Sequence, residues 1–167
     1  MSISYRLAVA REQYKFSCAH MTVFPDGSKE RLHGHNYTVS VALELADVSF
    51  ANMVAFAEIK TELAQLCLAC KERVLVATAN PFFEALTTDA NAADYEFRLC
   101  GQRYLLPRSD VLALPIDNIA VEPLAAYLLD TLRLKLAAVL ARPHVRGLEV
   151  TVEESPGQGA TARFSKV

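Results

Sequence analysis

The sequence predicts an α+β fold in which two helices pack on one face of an antiparallel sheet. Three observations lead to this prediction. Strand-like segments open the chain and return at its end, two longer stretches carry apolar residues at helical spacing, and turn-forming residues separate neighbouring strand-like segments. The predicted order is two strands, a helix, two strands, a helix and two strands, which is typical of an α+β domain.

The first strands are predicted over residues 5–9 and 14–20. The period of two places every second residue of the latter, His20 included, on one face. Residues 25–27 are Pro, Asp and Gly and mark a turn. The segment 32–45 is rich in β-branched residues, so we expect it to return as an antiparallel partner of the second strand.

The first helix is predicted over residues 56–70, and the second over residues 121–141, which end before Pro143. Cys67 and Cys70 form a C-x-x-C pair late in the first helix. A redox or zinc pair would require a turn at a helix start or a second pair elsewhere. We therefore interpret both cysteines as buried small hydrophobic residues.

Two hairpins complete the predicted sheet. Segments 95–99 and 103–106 flank residues 100–102, where a glycine at the first central position suits a two-residue turn. The C-terminal segment 147–167 is typical of a closing hairpin that turns at residues 156–159.

Length and composition narrow the classes of function. With 167 residues, of which 52% are hydrophobic, residues 1–167 are expected to form a single domain with its own core. The net charge is −2 and no long run of one sign occurs, so we expect neither nucleic acid nor an anionic membrane as a partner. No apolar run reaches spanning length and no export signal is recognised, so a cytoplasmic protein with four reduced cysteines is expected.

Three of the four histidines lie close together in the sequence. His33 and His35 are two residues apart in a predicted strand, so both rings project from one face. His20 ends the preceding strand, and an antiparallel return brings it opposite them. Three neutral imidazoles with an open fourth position are the ligand set of a catalytic zinc ion, so these residues are predicted to bind metal. His144 has no such neighbours and is expected at the surface.

Four glutamates are candidates for chemistry beside that metal. Glu153 and Glu154 end a predicted strand, and alternation allows only one of them to face inward. Glu122 opens the second helix, where the helix dipole alone favours a carboxylate. Glu30 lies three residues before His33 and is either a general base or a solvated side chain. The spacing leaves both interpretations of Glu30 open.

Several motifs resemble the 6-pyruvoyl-tetrahydropterin synthase and 6-carboxy-tetrahydropterin synthase family. They are F-S-C-A-H at 16–20, E-R-L-H-G-H-N-Y at 30–37, M-V-A-F-A-E-I-K at 53–60, the helix opening at 121–132 and V-E-E-S-P at 152–156. The resemblance implies the tunnelling fold, in which strands of three subunits join into a barrel and two trimers stack as a hexamer.

The resemblance also implies roles for individual residues. It places zinc on His20, His33 and His35. By position, Glu154 matches the glutamate that pairs with the 2-amino and N3 groups of the pterin, and a carboxylate suits two adjacent N–H donors. Glu122 matches the acid at the start of the family's second helix.

The chain departs from the usual family members at the catalytic residues. Those members carry a cysteine base shortly before H-G-H, and no cysteine occurs in residues 21–33. Lys71, Glu72 and Arg73 stand where the resemblance leads us to expect an Asp-His pair. The E-R-L-H-G-H spacing resembles instead a variant branch in which a glutamate, here Glu30, replaces the cysteine.

We therefore expect a zinc-dependent lyase that acts on the side chain of 7,8-dihydroneopterin triphosphate-type reduced pterins. Its product is expected to be 6-hydroxymethyl-7,8-dihydropterin, for folate or pterin biosynthesis. One alternative is a 6-pyruvoyl- or 6-carboxy-tetrahydropterin synthase with a rearranged base. The other is a non-catalytic hexamer that binds a pterin or purine. Residues 95–115 are an addition relative to the shortest family members.

Overall fold

The structure is a computed structural model and describes residues 3–166. No helix in this range is both long enough and apolar enough to cross a membrane. The elements are β1 Tyr5–Val9, β2 Lys15–His20, β3 His33–Leu45, α1 Phe56–Cys70, β4 Arg73–Ala77, β5 Phe83–Ala85, β6 Asp94–Leu99, β7 Gln102–Pro107, β8 Val111–Leu114, α2 Val121–Lys135, α3 Ala137–Leu140, β9 Val145–Ser155 and β10 Gln158–Ser165.

Within residues 3–166, seven strands form the main sheet, in the order β10-β9-β3-β2-β4-β8, with β1 paired to the C-terminal part of β3. β2 and β3 pair in the predicted antiparallel direction, with His20 directly opposite His33. Two pairings, β2 with β4 and β4 with β8, are parallel and were not predicted. Parallel neighbours require a crossover connection, and the chain from β2 to β4 makes one through β3 and α1.

The hydrophobic core lies between the helices and one face of the main sheet. Every second residue of β3 from Tyr37 to Leu45 is buried. The facing residues Leu148, Val150 and Val152 of β9 are fully buried. The helix residues that close over this face are Ile59, Leu63, Leu124, Leu128 and Leu132. The predicted α+β arrangement, with helices on one face of the sheet, is thus confirmed.

The positions of the helices agree with the sequence pattern, except that the second predicted helix is divided into two. α1 has the predicted bounds, and Cys67 and Cys70 are buried within it as interpreted. The second predicted helix is divided into α2 and α3 at Leu136, whose ψ of 19° leaves the helical region.

The expectation for His144 is wrong, because this residue is only 8% exposed. Its carbonyl accepts the N–H of Ala46, which holds it beside the β3–β9 ladder.

The sequence pattern misses three short strands, β4, β5 and β8. β4 and β8 read R-V-L-V-A and V-L-A-L, without the alternation of a half-exposed strand. Strands that pair in parallel are commonly buried on both faces and show such apolar runs. The missing alternation therefore follows from the position of β4 and β8 in the sheet.

Both hairpin turns differ in detail from the prediction. Leu99 pairs with Gln102, so the two turn residues of the β6–β7 hairpin are Cys100 and Gly101. Their φ values are 50° and 74°, which suits a type I′ turn with glycine at its second rather than its first central position. The β9–β10 turn consists of residues 156–157 and is shorter than predicted.

A second sheet of three strands, β5-β6-β7, has a small core of its own. Tyr95, Phe97 and Leu99 of β6 pack there with Met21 and Val23, which follow β2 in the sequence. The second sheet therefore covers the chain segment that leads away from His20.

Candidate metal centre

The three histidines lie at one end of the buried face of the main sheet. His20 follows Phe16 and Cys18 on the same face of β2, because residues two apart in a strand share a face. His33 and His35 continue the buried face of β3 in the same way. The ring centroids are 4.6 Å apart for His20 and His33, 5.3 Å for His20 and His35, and 4.8 Å for His33 and His35. The β2–β3 register thus brings the three rings together.

This cluster could bind a metal ion. One ligand atom from each of His20, His33 and His35 can be chosen so that all three lie within 4.8 Å of one another. Nδ1 of His33 donates a hydrogen bond to the carbonyl oxygen of Arg31 at 2.7 Å. Metal-binding histidines commonly donate one ring N–H to a carbonyl, which leaves the other nitrogen for the metal. Nε2 of His33 is therefore the nitrogen available to an ion.

His20 is the buried member of the cluster, with only 2% of its surface exposed. Burial, and after it the neighbouring His33 and His35, lowers the pKa of His20 to about 4. The ring is therefore neutral at physiological pH, and a neutral imidazole is the form that ligates a metal. The hydroxyl of the fully buried Tyr37 lies 3.1 Å from Nε2 of His20 and orients the ring.

Two of the four predicted glutamates lie beside the histidines. Oε2 of Glu30, in the loop between β2 and β3, is 3.7 Å from Nε2 of His33. Oε1 of Glu154 is 2.9 Å from Nε2 of His35. The side chains of Glu30 and Glu154 are 43% and 31% exposed, so a ligand at the histidines can reach both carboxylates.

The other two glutamates lie elsewhere. Glu153 adjoins Glu154 in β9 and pairs in register with Thr38, so its side chain is on the opposite face of the sheet. Glu122 is exposed in the first turn of α2. In the described part of the chain, no hydrogen bond or ion pair joins Glu122 to the histidines.

The residues at the expected Asp-His position form no comparable pair. Lys71 and Glu72 are exposed and form an ion pair with each other at 3.4 Å. Arg73 begins β4 and is the register partner of Cys18. The structure gives none of these three side chains a contact with a histidine of the cluster.

Two residues that support the site, Tyr37 and Asn118, were not predicted from the sequence. Tyr37 follows His35 by two positions, so the same alternation that placed the histidines could have identified it. The sequence contains no comparable pattern that could have identified Asn118. Its side chain accepts the N–H of Val23 at 3.0 Å and donates to the Val23 carbonyl at 2.9 Å. It thereby fixes the chain three residues after His20.

Cys18 is the thiol nearest the cluster in the sequence, and it is buried. Burial, followed by the charges of Cys70 and Glu154, raises the pKa of the Cys18 thiol to about 12. A thiol acts as a base or nucleophile through its thiolate. Cys18 is therefore protonated at neutral pH, and the accessible proton acceptors beside the histidines are carboxylates.

The fold and the site define an α+β protein with a three-histidine group that could hold a metal ion at one end of its sheet. The sequence model of the 6-pyruvoyl tetrahydropterin synthase family matches residues 9–164, and the chain belongs to this family. Members of the family are lyases that act on pterins. Among curated proteins, none matches the chain at a significant level.

Solved structures share the fold over nearly the full length. The 6-pyruvoyl tetrahydropterin synthase of Plasmodium vivax has a TM-score of 0.87 and 26% identity, covering 98% of this chain and 99% of that chain. The Plasmodium falciparum protein has the same TM-score and coverage with 23% identity, which shows the fold alone. Another Plasmodium vivax structure, 25% identical with a TM-score of 0.87 and the same coverage, has a catalytic glutamate replaced by alanine.

We expect iodoacetamide to modify Cys100 readily and Cys18 and Cys67 slowly in the folded protein. Burial raises the pKa of both slow thiols to about 12, so only about 10⁻⁴ of each is thiolate at pH 8. Cys100 is partly exposed at the β6–β7 turn. Peptide mass spectrometry measures the rates, with guanidinium-unfolded protein as the control in which the cysteines should react alike. Rapid modification of Cys18 in folded protein would contradict its burial.

Proposed function

We propose that the protein is a zinc-dependent lyase that cleaves the side chain of 7,8-dihydroneopterin triphosphate-type reduced pterins and releases 6-hydroxymethyl-7,8-dihydropterin. The observation that carries the proposal is the carboxylate of Glu30 at 3.7 Å from His33, in a site whose neighbouring thiol, Cys18, is buried and protonated. A catalytic glutamate is also named for the Plasmodium vivax synthase, which is 25% identical to this chain. Both observations favour a carboxylate rather than a thiol as the base.

His20, His33 and His35 would hold the zinc ion. Their three imidazoles fill three of four tetrahedral positions and leave one for the substrate, as in catalytic zinc sites. When bound, zinc would supply Lewis acidity that polarises an oxygen of the substrate side chain. Tyr37 and the Arg31 carbonyl orient two of the ligands, so the imidazoles need little rearrangement on binding.

Glu154 would hold the pterin ring. The pterin edge offers two adjacent N–H donors, and the two oxygens of a carboxylate accept both in parallel. The approach of Glu154 to His35 supports this role, because a ring bound there has its side chain next to the histidines. The family membership supports Glu122 as a second acidic contact, although among the described residues no hydrogen bond or ion pair joins its exposed side chain at the start of α2 to the histidines.

Glu30 would move the proton. In a retro-aldol cleavage, the base removes the proton of the hydroxyl on the second side-chain carbon, and the bond between the first and second carbons breaks. The second carbon leaves as a two-carbon aldehyde that carries the phosphates. The first carbon, which stays on the ring, takes up a proton and becomes the hydroxymethyl group. A carboxylate next to His33 can serve both as the acceptor and as the donor of that proton.

We further propose that the reaction takes place in the cytoplasm, in a homohexamer built from two trimers, and serves folate or pterin biosynthesis. The family membership supports each of these points. The match with the Plasmodium vivax synthase covers 99% of that chain, so the elements of that chain are represented here.

Purified protein is expected to carry about one zinc ion per chain, because three histidines complete one tetrahedral ligand set with an open position. His33→Ala combined with His35→Ala should remove the zinc and leave the fold, since the core does not include these residues. Elemental analysis and circular dichroism measure the two properties. Asn36→Ala is the matched control, because Asn36 is exposed between Tyr37 and His35 on the other face of β3. Full zinc content in the double variant would exclude the assignment.

Glu154→Gln is expected to weaken binding of a reduced pterin by about 2–3 kcal/mol, because an amide N–H then faces a pterin N–H. Glu153→Gln is the matched control and should have much less effect, since Glu153 lies on the other face of β9. Titration calorimetry measures the affinity at equal zinc content. Equal effects of the two substitutions would mean that Glu154 does not anchor the ring.

The function is tested by incubating the zinc-loaded protein with dihydroneopterin and with its triphosphate and identifying the products by mass. We expect 6-hydroxymethyl-7,8-dihydropterin.

Glu30→Gln should lower kcat by about 10²–10⁴-fold with zinc content and pterin affinity unchanged, because only the base is lost. Glu12→Gln, at an exposed glutamate outside the site, is the control.

Three outcomes would contradict the proposal. A pyruvoyl or carboxy product would indicate a synthase with a rearranged base. Binding of the pterin without turnover over hours would indicate a non-catalytic binder. A fully active Glu30→Gln protein would mean that another group transfers the proton, and Cys18 would be the first to be tested by substitution.

A further inference from the structure

The loop that carries Glu30 is a small folded unit. Residues 21–32, the Glu30 loop, join β2 to β3. Within it, Val23 and Lys29 form an antiparallel bridge, and the N–H of Glu30 donates to the Thr22 carbonyl at 2.9 Å. The loop therefore turns back on itself, and Glu30 lies on its returning arm.

The second sheet packs against the outgoing arm and the tip of this loop. Met21 and Val23 belong to the core of the second sheet together with Phe97 of β6. At the tip, Gly27 has φ of 81°, and a Cβ added there would lie 3.1 Å from the ring of Phe82, which precedes β5. The tip is therefore close to the residue that leads into β5 of the second sheet.

A row of stacked rings leads from this sheet to the returning arm. Phe83 and Phe97 stack with centroids 5.8 Å apart, and Phe97 and Tyr104 stack at 5.1 Å. The ammonium of Lys29 lies 5.3 Å from the centroid of Tyr104, within the range of a cation–π interaction. The same Nζ lies 3.3 Å from the carbonyl oxygen of Glu30. Lys29 thus connects the last ring of the row to the backbone of Glu30.

The outgoing arm of the loop is also held by residues outside the second sheet. Asn118 makes two hydrogen bonds with the backbone of Val23, and Thr22 donates to the Ile119 carbonyl at 3.3 Å. These contacts fix the outgoing arm beside His20. The backbone bridge joins the returning arm to this outgoing arm. The contact of Lys29 with Tyr104 is an additional contact, which lies on the returning arm itself, next to Glu30.

We infer that the second sheet positions the Glu30 carboxylate beside His33, with Tyr104 and Lys29 as the positioning residues. The inference rests on the proposed role of Glu30 in proton transfer. It gives residues 95–107 a role in catalysis without contact with the substrate. A base that is displaced from its proton loses rate rather than affinity, so these residues should affect kcat and not KM.

The test compares two substitutions of Tyr104 in the zinc-loaded full chain. Tyr104→Leu removes the ring that faces Lys29 and should lower kcat about tenfold at unchanged KM and zinc content. Tyr104→Phe keeps the ring and should restore kcat to near the parent value. Lys29→Met and Lys29→Arg form a second such pair. Arg98→Met is the control, because Arg98 lies on the outer face of the same hairpin and pairs only with Glu84 among the described residues.

Amide hydrogen exchange gives a readout that does not depend on turnover. Exchange in residues 22–31 should be faster in the Tyr104→Leu protein and unchanged in the Tyr104→Phe and Arg98→Met proteins. Zinc content and the thermal midpoint, measured on the same samples, show whether the fold is retained.

The same substitution made in the Glu30→Gln protein distinguishes a failure of this inference from a failure of the proposed function. In the Glu30→Gln protein, Tyr104→Leu should cause no further loss of kcat, because the group it positions is absent. Equal losses of kcat in the parent and in the Glu30→Gln protein would overturn the inference. It would also be overturned if Glu30→Gln is inactive while the Tyr104→Leu protein keeps the parent's kcat and the parent's amide exchange in residues 22–31. If Glu30→Gln is as active as the parent, the proposed role of Glu30 fails, and the inference fails with it.

Discussion

The antiparallel register of β2 and β3 is the constraint on which the rest of the structure depends. His20 faces His33 across the two strands, and the buried face of each strand continues from apolar residues directly into histidines. A shift of one residue would turn one strand's side chains to the other face of the sheet and would separate the ligands. The core strongly disfavours such a shift, because it would expose residues such as Phe16 and Tyr37 to water. Apolar burial therefore also determines the geometry of the metal centre.

The ionisable groups at the site fall into two sets, one buried at the edge of the core and one accessible to solvent. On the buried side, His20 is neutral and the Cys18 thiol is protonated, because burial disfavours the charged form of each group. On the accessible side, the carboxylates of Glu30 and Glu154 flank the histidines. Glu154 is part of β9, whereas Glu30 belongs to a loop. The ring-binding role that we propose thus falls on a rigid strand, and the proton-transfer role falls on a segment that needs support from elsewhere.

That support explains why a second sheet is useful in a protein of this size. Loops carry much of the chemistry of enzymes, and a site functions well only when its supporting contacts are rigid. Here the loop after His20 shares a core with β6, and Lys29 contacts Tyr104 of β7. The addition to the chain therefore contributes to catalysis through packing in our proposal, and it need not touch the pterin.

The sequence by itself determined the α+β class, both long helices and the convergence of the three histidines, because all of these depend on periodicity among neighbouring residues. The same periodicity separated Glu153 from Glu154, although the family resemblance was needed to choose between them. Only the tertiary structure decided the parallel pairing of β4, the burial of His144 and the contact of Lys29 with Tyr104. Each of these joins segments far apart in the chain, and local pattern contains no information about which distant segment a residue will meet when the core closes.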